Sequence, residues 1–207
     1  MAPESWTFEQ LASAGWSEAD LQWEHASEAG MERLACNDLP GASAKIAEAL
    51  RVANTGFVSD DPRLAASLAN HGAALVAGGD AHLSGRTLSD AVRVWQECDA
   101  WVAKMTAPRM ARSSLFHLRM ERRHRPTYEE RWRIKWAELV AEARQRIRGA
   151  GAFTLISAEE AGERLARWRR ERPAMLNDTR KLMAAILLLA CRREGSSGGE
   201  ALRGDRP

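Results

Sequence analysis

Five histidines and three cysteines are the residues of this chain best suited to bind a metal or to act as a nucleophile or base. The cysteines, Cys36, Cys98 and Cys191, lie far apart, and none has the C-x-x-C or Cys/His spacing of a zinc or redox site. The chain also lacks the H-E-x-x-H, G-x-S-x-G, phosphate-loop and dinucleotide-binding glycine motifs. We therefore expect free thiols in a reducing cytoplasm, and a protein that is not an enzyme and holds no metal or cofactor.

A basic segment with interleaved tryptophans is the second candidate for chemistry. Residues 131–136 read Arg-Trp-Arg-Ile-Lys-Trp, and Arg144 follows. Bases of single-stranded nucleic acid can stack on tryptophan while arginine binds phosphate, so Arg131, Arg133 and Arg144 form an alternative, nucleic-acid-binding surface. The tryptophans recur with later apolar residues at spacings of three and four, however. That period favours a buried helix face with the arginines in solvent.

The two halves of the chain carry opposite charge. The formal net charge is +2, yet residues 1–103 sum to −9 and residues 104–193 to +12. The acidic half disfavours a dedicated nucleic-acid-binding protein, and the opposed halves permit a head-to-tail self-association that salt would weaken. The longest apolar run, Leu182 to Cys191, is too short to cross a bilayer, which takes roughly 20 residues. With no secretory signal visible, the sequence predicts a soluble cytoplasmic protein.

Helix-forming residues dominate and long alternating β-branched runs are missing, which predicts an all-α fold. Turns are marked by the segments at 38–41 and 78–80, and by Asp61 as an acidic N-cap ahead of Pro62. We expect helices over residues 18–36, 41–55, 62–77, 83–105, 108–123, 127–148, 157–171 and 174–193.

Aligning the sequence with itself shows two internal similarities. A shift of 42 residues aligns 47–54 with 89–96, and a shift of 46 aligns 62–67 with 108–113. Such periods, with linkers of slightly different length, are typical of stacked helical hairpins that bury a continuous stripe.

Within one unit, small residues lie where the two helices of a hairpin would cross. Gly72 is the predicted point of contact, and Leu88 and Ala91 follow on one face of the second helix. This unit, residues 61–80 and 84–95, resembles the tetratricopeptide repeat family, and its 42-residue spacing resembles the kinesin-light-chain variety. The positions that carry the likeness are Leu68, Asn70, Gly72, Leu75, Ser84, Leu88 and Ala91.

The resemblance implies a helical solenoid of about three hairpins with a helical C-terminal cap. It covers about half of the chain, which departs from the pattern at His71, where leucine is usual, and at Ser84, where alanine is usual. His71 and His117 fall at equivalent places and could hold a metal with Cys36, although a hydrogen bond to a neighbouring group is simpler. The expected organisation is a helical lead-in over 1–23, repeats over 24–148, capping helices over 149–193 and a disordered tail over 194–207.

The family's first helices line a concave groove that captures a partner segment. The corresponding positions would be Glu24, Ser27, Met31 and Leu34, then Ala66, Ala69, Asn70, Ala73 and Val76, then Arg112, Leu115, Phe116, Arg119 and Arg122. As in related repeats, Asn70 would bond the partner's backbone, while Arg112, Arg119 and Arg122 would bind carboxylates bidentately. The sequence thus predicts a non-catalytic protein–protein interaction module or scaffold, with a protein or peptide partner of acidic character.

The apolar helix predicted over 174–193 must be covered nearly all round. It either caps the stack of helices, as terminal repeats require, or docks on a second copy to form a homodimer.

Overall fold

The computed structural model describes residues 16–104, 153–171 and 178–193, and the isolated positions 9, 12, 134, 137, 138 and 141. Its elements are α1 (Glu18–Ala35), α2 (Leu39–Gly56), α3 (Pro62–Ala77), α4 (Ala81–Lys104), β1 (Phe153–Leu155), α5 (Ala158–Glu171), α6 (Asp178–Leu187) and β2 (Cys191–Arg193). Helix predominates among the described residues, which confirms the all-α class. The helix predicted over 108–123 and the tail over 194–207 lie outside them, as does most of 127–148. No helix in the described part of the chain is long and apolar enough to cross a membrane.

The first hairpin begins and ends where its capping residues place it. Ser17 and Asp20 form a capping box at the start of α1, in which the Asp20 carboxylate accepts the Ser17 backbone N–H at 2.7 Å. At the other end Asn37 takes a left-handed φ of 59°, and the N–H of Asp38 donates to the carbonyl of Arg33 at 2.9 Å. This pattern satisfies the last carbonyls of the helix and turns the chain directly into α2.

The second hairpin has the predicted boundaries. Asp61 is the N-cap of α3, where its side chain accepts the backbone N–H of Arg63 at 2.9 Å. Gly79 follows the end of the helix with a φ of 85°. Glycine adopts this left-handed conformation with little strain because it has no Cβ. Both sequence predictions, the acidic N-cap and the glycine stop, are confirmed.

Small residues bring the helices of each hairpin into close contact. A Cβ on Gly72 would lie 2.6 Å from Cγ and Cδ2 of Leu88, so α3 and α4 touch at the predicted crossing point. A Cβ on Gly30 would lie 3.3 Å from Cγ1 of Ile46, which marks the corresponding approach of α1 and α2. Helix α2 also packs on α3, and the two hairpins therefore form one body.

The C-terminal part corrects the helix predicted over 174–193. Helix α6 ends at Leu187, the chain turns at Leu188, and β2 follows, which pairs antiparallel with β1 so that Cys191 lies opposite Leu155. A continuous apolar run does not distinguish a buried helix from a buried strand, because neither shows a polar face. From Leu188 onward, hydrogen bonds from Asn70, Ile156 and Arg164 to the backbone of residues 188–190 take the place of the helical bonds to the carbonyls of Leu188, Leu189 and Ala190.

Helices α1 and α3 share a face that the C-terminal elements cover. Helix α5 packs on α1, and α6 and the β1–β2 pair pack on α3. Every residue from Leu182 to Cys191 is at most 4% exposed. The apolar segment is therefore buried within its own chain, along the side of the helices rather than across an end of the stack.

Candidate binding groove

The predicted groove positions of the first two units lie on the shared face of α1 and α3, which we call the α1–α3 face. All of them except the half-buried Val76 are buried: Glu24, Ser27, Met31, Leu34, Ala66, Ala69, Asn70 and Ala73. Residues Arg112, Leu115, Phe116, Arg119 and Arg122 of the predicted third unit lie outside the described residues. So do Arg131, Arg133 and Arg144 of the alternative basic surface.

Asn70 binds the main chain that follows α6 through both ends of its amide. Its Nδ2 donates to the carbonyl of Leu188 at 2.9 Å, and its Oδ1 accepts the N–H of Ala190 at 2.6 Å. One side chain thereby satisfies two backbone groups of a segment that has left its helix. The predicted contact type is present, but the backbone that Asn70 binds here belongs to its own chain.

Two further carbonyl groups of this segment are bound by other parts of the chain, whereas the N–H groups of Leu188 and Leu189 donate back to Ala184 and Ile186 of α6. The N–H of Ile156 donates to the carbonyl of Ala190 at 3.0 Å, and Nη1 of Arg164 donates to the carbonyl of Leu189. The side chains of Leu188 and Leu189 are at most 1% exposed. Recognition therefore combines main-chain hydrogen bonds with apolar burial, the two components by which a groove binds an extended peptide.

The segment fills the α1–α3 face closely. A residual cavity of about 10 Å³ lies beneath it, lined by Ser27, Ile46 and Asn70 among others, with Leu188 and Ala190 on the segment side. That volume is close to the least a single water molecule needs. The small side chains of the face, chiefly alanines of α3, create the room that the segment occupies.

A buried ion pair fastens α6 to α1. Arg180 donates from Nε and Nη2 to the two carboxylate oxygens of Glu24 at 2.8 and 2.5 Å, and both side chains are nearly inaccessible. The guanidinium also lies 4.2 Å from the ring centroid of Trp16 and 5.6 Å from that of Trp168. Burial raises the pKa of Glu24 because desolvation outweighs the bonds from Arg180.

A second set of contacts joins α5 to α1 at the edge of the face. Nε1 of Trp168 donates to Glu28 at 3.0 Å, and Arg169 reaches both Glu28 at 3.4 Å and Glu32 at 3.2 Å. The indole of Trp168 is fully buried, whereas Arg169 is half exposed. The indole contact therefore contributes more to packing than the exposed ion pairs.

A third polar centre joins α1 to the start of α3. The fully buried Arg63 contacts Asp20 at 2.5 Å and Asp61 at 2.8 Å, and its guanidinium carbon lies 3.6 Å from the Phe57 ring centroid. Burial alone would lower the pKa of Arg63, but the two carboxylates outweigh it and raise that pKa. Burial likewise acts to raise the pKa of Asp20, but Arg63 and bonds from Ser17 lower it overall.

Sequence reasoning missed both of these buried ionic centres. Arg63 follows its partner Asp61 by two residues, so an arginine just after an acidic N-cap was a usable local signal. Arg180 and Glu24 are 156 residues apart, and no local pattern connects them.

His117 of the candidate metal set lies outside the described residues, among which no group of three His, Cys, Asp or Glu side chains could hold an ion. Cys36 is exposed, Cys98 and Cys191 are buried, and none of the three forms a disulfide. His71 was predicted to bond a neighbouring group. Its buried Nδ1 has no hydrogen-bond partner in the described part of the chain. Burial lowers the pKa of His71.

Comparisons of the chain with protein-family models, with curated proteins and with solved structures found no match. The tetratricopeptide resemblance consequently stays a prediction from the sequence.

Proposed function

We propose that this chain is a non-catalytic protein–protein interaction module that captures a protein segment on stacked helical hairpins. The observation that carries the proposal is the pair of hydrogen bonds from Asn70 to the main chain of Leu188 and Ala190. A helix face that binds backbone groups in this way recognises the main chain of a segment, which is common to all sequences. That property suits a protein whose task is to hold segments of polypeptide.

The tetratricopeptide-like arrangement is part of this proposal. The contact between Gly72 and Leu88, and the sharing of one face by the first helices of both hairpins, support it. The α1–α3 face holds residues 188–191, so we propose that an acidic partner binds at the predicted third unit. Arg112 and Arg119 would supply bidentate bonds to carboxylates there.

Affinity capture from host lysate tests the proposal. Wild type is compared with Arg112→Glu/Arg119→Glu, and both samples are treated with nuclease. We expect a protein that wild type retains and the double variant loses, because charge reversal would repel an acidic segment.

A matched charge reversal at exposed positions of the described helices, Arg51→Glu/Arg86→Glu, controls for the change in net charge. Retention of the same protein by this control ties the loss to the predicted third unit. Equal retention by wild type and Arg112→Glu/Arg119→Glu contradicts the proposed groove. Loss of all retention on nuclease treatment would instead indicate the basic surface of Arg131, Arg133 and Arg144.

A further inference from the structure

We propose that the cavity beneath residues 188–190 binds one water molecule, which joins the hydroxyl of Ser27 to the side chains of Ser67 and Asn70. The cavity has a volume of about 10 Å³ and is lined by residues of α1, α2, α3 and the segment that follows α6. The bound water therefore lies where the two hairpins meet the part of the chain that covers them.

The cavity is internal. Each of its described lining residues is at most 6% exposed, so bulk solvent does not hydrate their polar atoms. A volume of about 10 Å³ is enough for a single water molecule, which stays in such a site when it has roughly two to four polar partners. The polar groups that line the cavity therefore decide whether it is hydrated.

The hydroxyl of Ser27 is the lining group that most needs a partner. Ser27 lies on the buried face of α1, and its side chain makes no hydrogen bond within the described part of the chain. Burial of a hydroxyl is unfavourable when no hydrogen bond replaces those that it made to solvent. One water molecule in the cavity supplies that bond.

Ser67 and Asn70 can bind the same water. The hydroxyl of Ser67 donates to the carbonyl of Arg63 at 2.7 Å and accepts Nε1–H of Trp23 at 2.7 Å, which leaves one lone pair on its oxygen. Asn70 keeps one amide proton and one lone pair beyond its two bonds to the main chain. A water molecule can thus accept the proton of Ser27 and donate to Ser67 and Asn70.

The chemistry of the lining favours water over an ion. Among the described lining residues the polar side chains are those of Ser27, Ser67 and Asn70, and none of them carries a charge. A buried cation needs several oxygen ligands, usually with carboxylates among them. A neutral molecule that both donates and accepts hydrogen bonds matches this set of groups.

The water connects the two helices of the α1–α3 face through the amide that binds the C-terminal segment. Asn70 bonds directly to Leu188 and Ala190, and the water bonds the same amide to Ser27 of α1. Both helices then fix the orientation of that amide. This inference does not rest on the proposed function, because the water has the same partners whatever the protein captures.

High-resolution crystal structures of wild type and Ser27→Ala test the site. We expect an electron-density peak in wild type at about 2.7–3.2 Å from Oγ of Ser27. The variant should show no peak there, because it lacks the hydroxyl that the water satisfies. A wild-type cavity without density overturns the proposal, and so does a peak that stays in place in Ser27→Ala.

Oxygen-17 relaxation dispersion repeats the comparison in solution, since it detects water molecules that stay bound for longer than the protein takes to tumble. We expect Ser27→Ala to hold one internal water fewer than wild type. Ser89→Ala, at an exposed position of α4, is the matched control and should keep the wild-type number. Equal numbers in wild type and Ser27→Ala, or the same loss in both variants, contradict the proposal.

Discussion

Asn70 and Ala190 lie 120 residues apart, and the backbone N–H of Ala190 donates to Oδ1 of Asn70 at 2.6 Å. The same amide donates to the carbonyl of Leu188, two residues earlier. A single polar side chain, itself buried, thus joins the C-terminal segment to α3 through two backbone groups. Four tests follow from this and the neighbouring contacts.

Asn70→Ala should lower the free energy of unfolding by about 2–6 kcal/mol. The substitution leaves two backbone groups buried without partners, each of which costs roughly 1–3 kcal/mol. Urea unfolding followed by tryptophan fluorescence measures the change. Asn54→Ala, at an exposed position of α2, is the matched control and should stay near wild type. Similar losses for both variants would mean that the Asn70 amide contributes little.

Gly72→Ala should destabilise the protein by about 1–3 kcal/mol, because the new Cβ would lie 2.6 Å from two side-chain atoms of Leu88. Gly85→Ala places a methyl group on α4 where no atom lies within 4 Å, and should stabilise by about 0.5–1 kcal/mol. Thermal unfolding of the two variants measures the opposite signs. If both shifted the melting temperature in the same direction, the close approach of α3 and α4 would be disproved.

The Glu24–Arg180 pair should show strong coupling in a double-mutant cycle. Glu24→Leu or Arg180→Leu leaves one charge buried alone and should cost about 3–5 kcal/mol. The double variant buries no charge and should cost much less than the sum of the two. Chemical denaturation of all four proteins gives the coupling energy. Additive losses would show that the two side chains do not interact in solution.

Low pH should reduce the free energy of unfolding through protonation of Asp20. The folded-state pKa of Asp20 is lowered below its ordinary 3.8, so its contribution to stability is present above that value. The contribution is lost as the pH falls through the lowered pKa. Denaturant unfolding from neutral pH to below 3.8 should therefore show a smaller loss for Asp20→Asn than for wild type. Parallel curves for the two proteins would exclude this role.

Glu24 has the opposite effect on the pH dependence of stability, and it does not affect the comparison of Asp20→Asn with wild type. Its pKa is raised above the ordinary 4.5, so the folded protein holds its proton more tightly than the unfolded chain. Stability through Glu24 therefore falls as the pH rises between 4.5 and the raised value. Asp20→Asn leaves this group in place, and the difference between the two proteins reports Asp20 alone.

Local signals in the sequence were enough to predict the hairpins. Proline, glycine and acidic caps act on residues next to them, so α3 was predicted with the residue bounds that the structure has. The contact between Gly72 and Leu88 followed from the same helical spacing. These features depend on short-range geometry, which a sequence displays directly.

The cover on the α1–α3 face could not be predicted in the same way. The apolar pattern predicted that the helix continues through residues 188–193. In the structure α6 ends at Leu187, and Asn70 and Ile156 bind the backbone of the residues that follow. Asn70 was predicted to bind an extended backbone, but nothing nearby indicated whose. Only the folded chain brings that amide to residues more than a hundred positions away.

The distance along the chain between Asn70 and the segment that it holds has a consequence for biosynthesis. At roughly 5–20 residues per second, a ribosome needs about 6–24 s to advance from one to the other. Helix α3, which contains Asn70, and the helices packed on it can form during that interval. The apolar residues 188–190 are still to be translated at that time. The part of the α1–α3 face that residues 188–190 occupy is thus uncovered until those residues are translated, and during that interval a chaperone or a neighbouring nascent copy can reach it.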